Sequence, residues 1–213
     1  MPTSRTYGDA CGIARALDVV GERWALLVVR ELLLGRQRFS DLRRALPGAS
    51  SNMLTDRLRE LESRDVVHRH RLPPPAASVV YELTESGREL EPIVLALGGW
   101  GLRVALPATP LHLSATSVLL FLRGSVRPNP EAPAAVYRFE LDERVWTIRT
   151  QDGQVQIEPG EPAQAQAGLR TDPATLNALL SGDTDLATAL TTGKAVRTGD
   201  EAVLCQLLRP ADS

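Results

Sequence analysis

Asn52, Thr55, Asp56 and Arg59 share a segment with Leu54, Leu58 and Leu61, which recur at i, i+4 and i+7. If the leucines face a core, 3.6 residues per turn place Asn52, Thr55, Asp56, Arg59 and Ser63 on the opposite side, with Ser51 at the leading end. Side chains of these types read base edges: Asn pairs two-pronged with adenine, Arg with guanine, and Thr reaches a base edge or the thymine methyl. The leading N–H groups of such a helix also suit phosphate. A solvated helix face has the same composition, so spacing alone does not separate the two readings.

The neighbouring residues bear on that choice. Arg36, Arg38, Arg43 and Arg44 flank the preceding segment, and Arg69, His70 and Arg71 follow. Residues 36–71 hold nine arginines against five acids, whereas the whole chain has a formal net charge of −2. Positive charge is therefore local, as a polyanion-binding surface requires. Residues 1–106 carry 15 basic and 13 acidic side chains, and residues 107–213 carry 9 and 13, so the halves differ in sign.

Several elements must position these residues. Ile13, Leu17 and Val20 lie at helical spacing over 9–20; Gly21 interrupts, and an apolar helix continues to a C-cap at Gly35. Ser40 is a candidate N-cap for the helix carrying Leu42 and Leu46. Pro47-Gly48 breaks that helix, and the next starts near Ser50 or Ser51. VVHRHRL and SVVYELTE alternate apolar and polar residues about a PPPAA turn, predicting a two-stranded hairpin. Its arginines suit phosphate or minor-groove contacts, which favours the DNA reading; the alternative is a charged edge strand that deters aggregation. A helix returns over 85–106, with Pro92 in its first turn if it starts late, or a kink otherwise. The order is that of a winged helix-turn-helix.

The chain changes character at 107–113, a proline-bearing linker. Residues 114–213 read as helix, strands turned at Asp152-Gly153, then short helices, an α+β domain. The expected organisation is a winged helix-turn-helix domain over 1–106 and an α+β domain over 114–213. At 213 residues with 43% apolar and 23% charged side chains, the chain has the composition of a globular protein rather than a disordered one. No apolar run is long enough to span a bilayer, and MPTSRTYGDACG lacks the apolar core of a signal peptide, so the cytoplasm is the expected compartment. Cys11 and Cys205 are far apart and form no metal-ligand spacing. No nucleophile–base pair, phosphate loop or metal cluster is evident, so neither catalysis nor a cofactor is expected.

At GERWALLVVRELLLGRQRFSDLRRALPGASSNMLTDRLRELE, VVYELTESGREL and ALGGW, the chain resembles the HxlR-type winged-helix regulators, relatives of the MarR group. The patterns G-x-x-W, R-F-x-x-L, P-G, L-x-x-R-L-x-x-L-E and Y-x-L-T-x-x-G span residues 11–103. Ala49-Ser50 departs from the apolar β-branched residue usual before Ser. The resemblance implies a homodimer joined by the terminal helices of this domain, its third helix reading double-stranded DNA and its hairpin acting as the wing. It implies repression more often than activation. Cys11 matches the place where several members sense oxidants or electrophiles; the alternative is a small residue buried against Ile13 and Leu17. Cys205, between Leu204 and Leu207, reads as core.

Residues 114–210 resemble the sterol-carrier-protein type domains, through the D-G turn, a helix ending in Gly, TGKAVRTGD and a final helix. That resemblance implies an apolar tunnel for a hydrophobic effector, with Leu120, Phe121, Trp146, Ile148, Leu176, Leu179 and Leu180 as candidate lining. Each of the seven is equally an ordinary core residue. The DNA-contact candidates are Arg38, Arg43, Arg44, Ser51, Asn52, Thr55, Asp56, Arg59, Arg69, His70 and Arg71. The expectation is a dimeric DNA-binding regulator under ligand control, with a thiol sensor, a lipid carrier or an enzyme as alternatives.

Overall fold

The computed structural model describes residues 6–75, 77–105, 111–126 and 131–208. The chain divides into two compact units, Met1–His112 and Leu113–Ser213.

The first unit opens with α1 (Gly12–Val20) and α2 (Ala25–Leu32). The second helix starts later than its apolar pattern suggests because Trp24 holds a left-handed backbone, φ 77°, which no α-helix accommodates. Gly35, at φ 118°, turns the chain into β1 (Gln37–Arg38). The next helix, α3 (Phe39–Ala45), corrects the expected N-cap: the helix already includes Ser40, and Arg38 precedes it. Asp41, three residues into α3, accepts the Arg38 N–H at 3.2 Å, so an acid reaching back replaces the expected hydroxyl. In α4 (Ser51–Ser63) the cap is Ser50, whose Oγ accepts the Met53 N–H at 3.2 Å.

β2 (Val67–Arg71) and β3 (Val79–Leu83) pair antiparallel with His70 opposite Val80, the hairpin the alternation predicts. β1 joins the free side of β3, giving the order β1-β3-β2. Two residues are too few for a readable alternation, so this strand escapes the sequence. The helix expected over 85–106 is split into α5 (Glu85–Arg88) and α6 (Glu91–Gly101). Pro92, lacking an N–H, sits in the first turn of α6, where the missing donor costs nothing. Leu42, Leu54, Leu58 and Leu61 pack with Val28, Val29, Leu32, Val67 and Leu83 in one cluster. Each buried leucine contributes on the order of 2 kcal/mol, which fixes the roll of α4.

In the second unit Ser114 caps α7 (Ala115–Ser125), accepting the Ser117 N–H at 3.1 Å. β4 (Ala135–Leu141), β5 (Arg144–Gln151) and β6 (Gln154–Pro159) form a meander. Its turns, Asp142-Glu143 and Asp152-Gly153, hold positive φ at both residues, as two-residue hairpin turns demand. Only the second carries the glycine that marks such a turn in a sequence. β7 (Ala167–Thr171), α8 (Pro173–Ser181), α9 (Leu186–Thr191), β8 (Ala195–Gly199) and α10 (Glu201–Leu208) complete the unit. The sheet order is β6-β5-β4-β7-β8, with β4 and β7 parallel, an α+β arrangement. β4 alternates strictly, burying Ala135, Tyr137, Phe139 and Leu141. α7 packs on α8 and β6, α9 on β8, and α10 on β7.

Candidate nucleic-acid interface

With Leu54, Leu58 and Leu61 buried, the outer side of α4 is set by geometry. Asn52, Asp56, Arg59 and Ser63 are exposed, Ser51 and Thr55 half-buried. Thr55 turns its hydroxyl proton back to the Ser51 carbonyl at 2.8 Å, so that its oxygen keeps only acceptor capacity. Arg59 lies 3.9 Å from Asp56, both well exposed. Arg43 donates to the Ser51 hydroxyl, so a cation from α3 stands at the leading end of α4. Arg38, before α3, and Arg44, in its last turn, are exposed. Anions are favoured at the leading end of α4 twice over, by Arg43 and by the helix dipole.

Arg57, though central in α4, is not part of this face. It is 12% exposed and pairs with Glu60 and, at 3.8 Å, with Glu22. Met53, 39% exposed on the first turn, is an outward apolar contact that sequence reading left unassigned. Its position one residue ahead of the leucine stripe was the available signal.

The hairpin distributes its charges by the period of two. Arg69 and Arg71 are exposed on the face shared with Val67, while His70 lies on the other face with His68, ring centroids 5.1 Å apart. The three residues expected to crowd together therefore divide: two arginines form one basic edge, and half-buried His70 stands apart. Arg71 Nε donates to the Ala77 carbonyl at 3.4 Å across the turn, steadying the guanidinium near the tip.

Cys11 is exposed, and its presumed packing partners Ile13 and Leu17 are 73% and 41% exposed, so it is not a buried filler. It occupies the N-cap of α1. The N–H groups of Ala14, and secondly Ile13, aim at the sulfur and hold its pKa below the ordinary thiol value. Cys205 is only partly buried.

In the second unit Leu120, Trp146, Ile148, Leu176, Leu179 and Leu180 are buried and Phe121 half-buried. An open pocket of about 620 Å³ lies at the ends of α8, α9 and α10, floored by Leu179, Leu186, Cys205 and Leu208, with Asp183 and Asp185 at its edge. Of the seven candidate lining residues, Leu179 belongs to it; Trp146 and Ile148 sit in the strands and pack as core. Among the described residues no group of three or more His, Cys, Asp or Glu is arranged to hold a metal, and no helix is long and apolar enough to cross a membrane.

A short basic helix, a tight turn, a second helix with a polar outer face and a basic hairpin together define a winged helix-turn-helix DNA-binding domain. The HxlR-like helix-turn-helix family matches residues 19–108, and the SCP-2 sterol transfer family matches residues 123–211. Among curated proteins, the chain is 43% identical over 96 residues to the uncharacterized HTH-type transcriptional regulator YybR of Bacillus subtilis, covering 44% of this chain and 74% of that one. It is 40% identical over 90 residues to sll1512 of Synechocystis, covering 42% and 67% respectively. Among solved structures, the redox regulator HypR in its oxidized form aligns with a TM-score of 0.43 at 39% identity, covering 46% of this chain and all of that one. The chain belongs to the HxlR-like helix-turn-helix family and is a transcriptional regulator, joined to an SCP-2-like α+β domain.

Proposed function

We propose that the protein acts as a homodimer that reads a specific duplex through α4, holds the backbone through α3 and the hairpin, and performs no catalysis. The observation that carries this reading is the outer face of α4, where Asn52, Asp56 and Arg59 stand exposed opposite a wholly buried leucine stripe. Arg38, Arg43 and Arg44 supply phosphate contacts at one end, Arg69 and Arg71 at the other. Dimer formation is supported by α6, an apolar helix with no buried residue: Ile93, Leu97 and Trp100 are 56%, 48% and 58% exposed. Such a surface needs a partner. The apolar floor of the pocket between α8, α9 and α10 supports an effector of hydrophobic character, and repression in the cytoplasm is the family expectation.

A second mode of control is supported by Cys11. Its exposed thiol, with a lowered pKa at a helix N-cap, has the accessibility and thiolate character that oxidants and electrophiles select.

The test is selection of duplexes from a randomised pool, followed by titration of an enriched duplex across a salt series. Enrichment of a short two-fold-related motif, with affinity falling steeply as salt rises, is expected. A pool that emerges without sequence bias sinks the reading.

A further inference from the structure

The corner between α1 and α2, residues 21–24, touches α4 and the turn that feeds it at two separate points. Trp24 holds φ 77°, a backbone region that a bulky residue occupies only where its surroundings fix it. Its ring lies over Gly48, so close that a methyl group there would stand 2.8 Å from Cη2. The buried indole Nε1–H finds no acceptor among the described residues. Two residues earlier, the Glu22 carboxylate lies 3.8 Å from Arg57 of α4. Neither Trp24 nor Glu22 is on the outer face of α4, and α1 itself packs on α4.

We propose that Trp24 and Glu22 are positioning residues that set how α4 meets DNA. The inference rests on α4 being the reading helix. The leucine stripe fixes the roll of α4 but leaves its leading end to the turn before it, and that turn rests on Trp24. Glu22 adds a second point nearly two turns into α4, through Arg57. Both contacts hang from the same short corner, so a tilt of α1 displaces them together. The left-handed backbone and the unsatisfied indole N–H both raise the energy of this arrangement, so a shifted corner that relieves them lies within reach.

The 213-residue chain with Trp100→Phe and Trp146→Phe retains Trp24 as its only tryptophan. Its emission is followed on adding a duplex enriched from a randomised pool by the unsubstituted protein, and an unrelated duplex of equal length. We expect a larger shift with the enriched duplex at saturation. Gly48→Ala, which pushes the ring, should lower the preference for the enriched duplex about fivefold or more. Glu22→Gln, an exposed change that leaves the core intact, should lower it in the same direction and decides the matter if Gly48→Ala does not fold. Equal emission shifts with both duplexes overturn the inference, as does a folded variant that keeps the original preference or loses affinity for both duplexes alike. If the unsubstituted protein enriches no duplex, the DNA reading of α4 falls first and this inference with it.

Discussion

Asp56 stands 3.9 Å from Arg59 on the outer face of α4, an acid and a base that are both exposed and one turn apart. So exposed a pair is worth little to the fold. On the proposed reading of α4 as the helix that meets DNA, its consequence lies in recognition. Where a base offers Arg59 no pair of acceptors, the guanidinium keeps Asp56 as its partner; where guanine offers O6 and N7, the exchange is favourable. On the same reading Asp56 repels phosphate and so weakens binding to indifferent sequence.

Arg59→Ala should therefore cost about 1–3 kcal/mol at one base position and leave the others nearly as they were. Titration against single-base variants of an enriched duplex measures this. An even loss across all variants would place Arg59 on the backbone instead.

Arg71 is exposed at the end of β2, with its Nε steadied by the Ala77 carbonyl. Arg71→Ala should weaken all duplexes alike and reduce the slope of log affinity against log salt by about one. An unchanged slope shows that it meets no phosphate.

Trp100 and Ile93, 58% and 56% exposed, define the apolar surface of α6. Trp100→Glu and Ile93→Glu should each weaken dimerisation by on the order of 2–3 kcal/mol, with DNA affinity falling in step. Sedimentation velocity at micromolar protein gives the answer: variants that remain fully dimeric remove α6 from the interface.

The Ala14 and Ile13 N–H groups favour the Cys11 thiolate. Alkylation of Cys11 in a Cys205→Ser background should rise with pH through a midpoint below that of an ordinary thiol. Because the folded pKa is depressed, the thiolate's stabilisation of α1 grows as pH rises through that midpoint and is lost as pH falls back through it. A midpoint at or above the ordinary value removes the case for Cys11 as a sensor.

Asp172 caps α8, accepting the Thr175 N–H at 2.9 Å and its hydroxyl at 2.7 Å. Partial burial raises its pKa, but these donors outweigh burial and the net shift is downward. Asp172→Ala should cost the second unit about 1 kcal/mol at neutral pH. The capping contribution is present above the ordinary carboxylate pKa and lost as pH falls through the lowered one, so the difference between the two proteins should shrink in strong acid. Denaturant titrations at pH 7 and pH 2 test the sign.

Much of the candidate interface was legible because helix and strand impose short, fixed periods. Leu54, Leu58 and Leu61 by themselves named Asn52, Asp56 and Arg59 as outward residues. The alternation in VVHRHRL likewise named the hairpin, and carried the correction that Arg69 and Arg71 share one face while His70 takes the other. Less was legible where a cap or turn depends on unmarked residues. Asp41 rather than Ser40 completes the start of α3, and Asp142-Glu143 turns a hairpin without glycine.

Local periodicity, turn residues and the clustering of arginine thus determined the two-part organisation, the outward face of α4 and the basic hairpin, since each arises from residues close along the chain. Tertiary structure alone decided that Arg43 meets Ser51, that Trp24 lies over Gly48, that Arg57 is tied to Glu22, and that the second-unit pocket opens between α8, α9 and α10. Those contacts join residues distant along the chain. No spacing rule encodes them; they follow from which faces the core has already claimed.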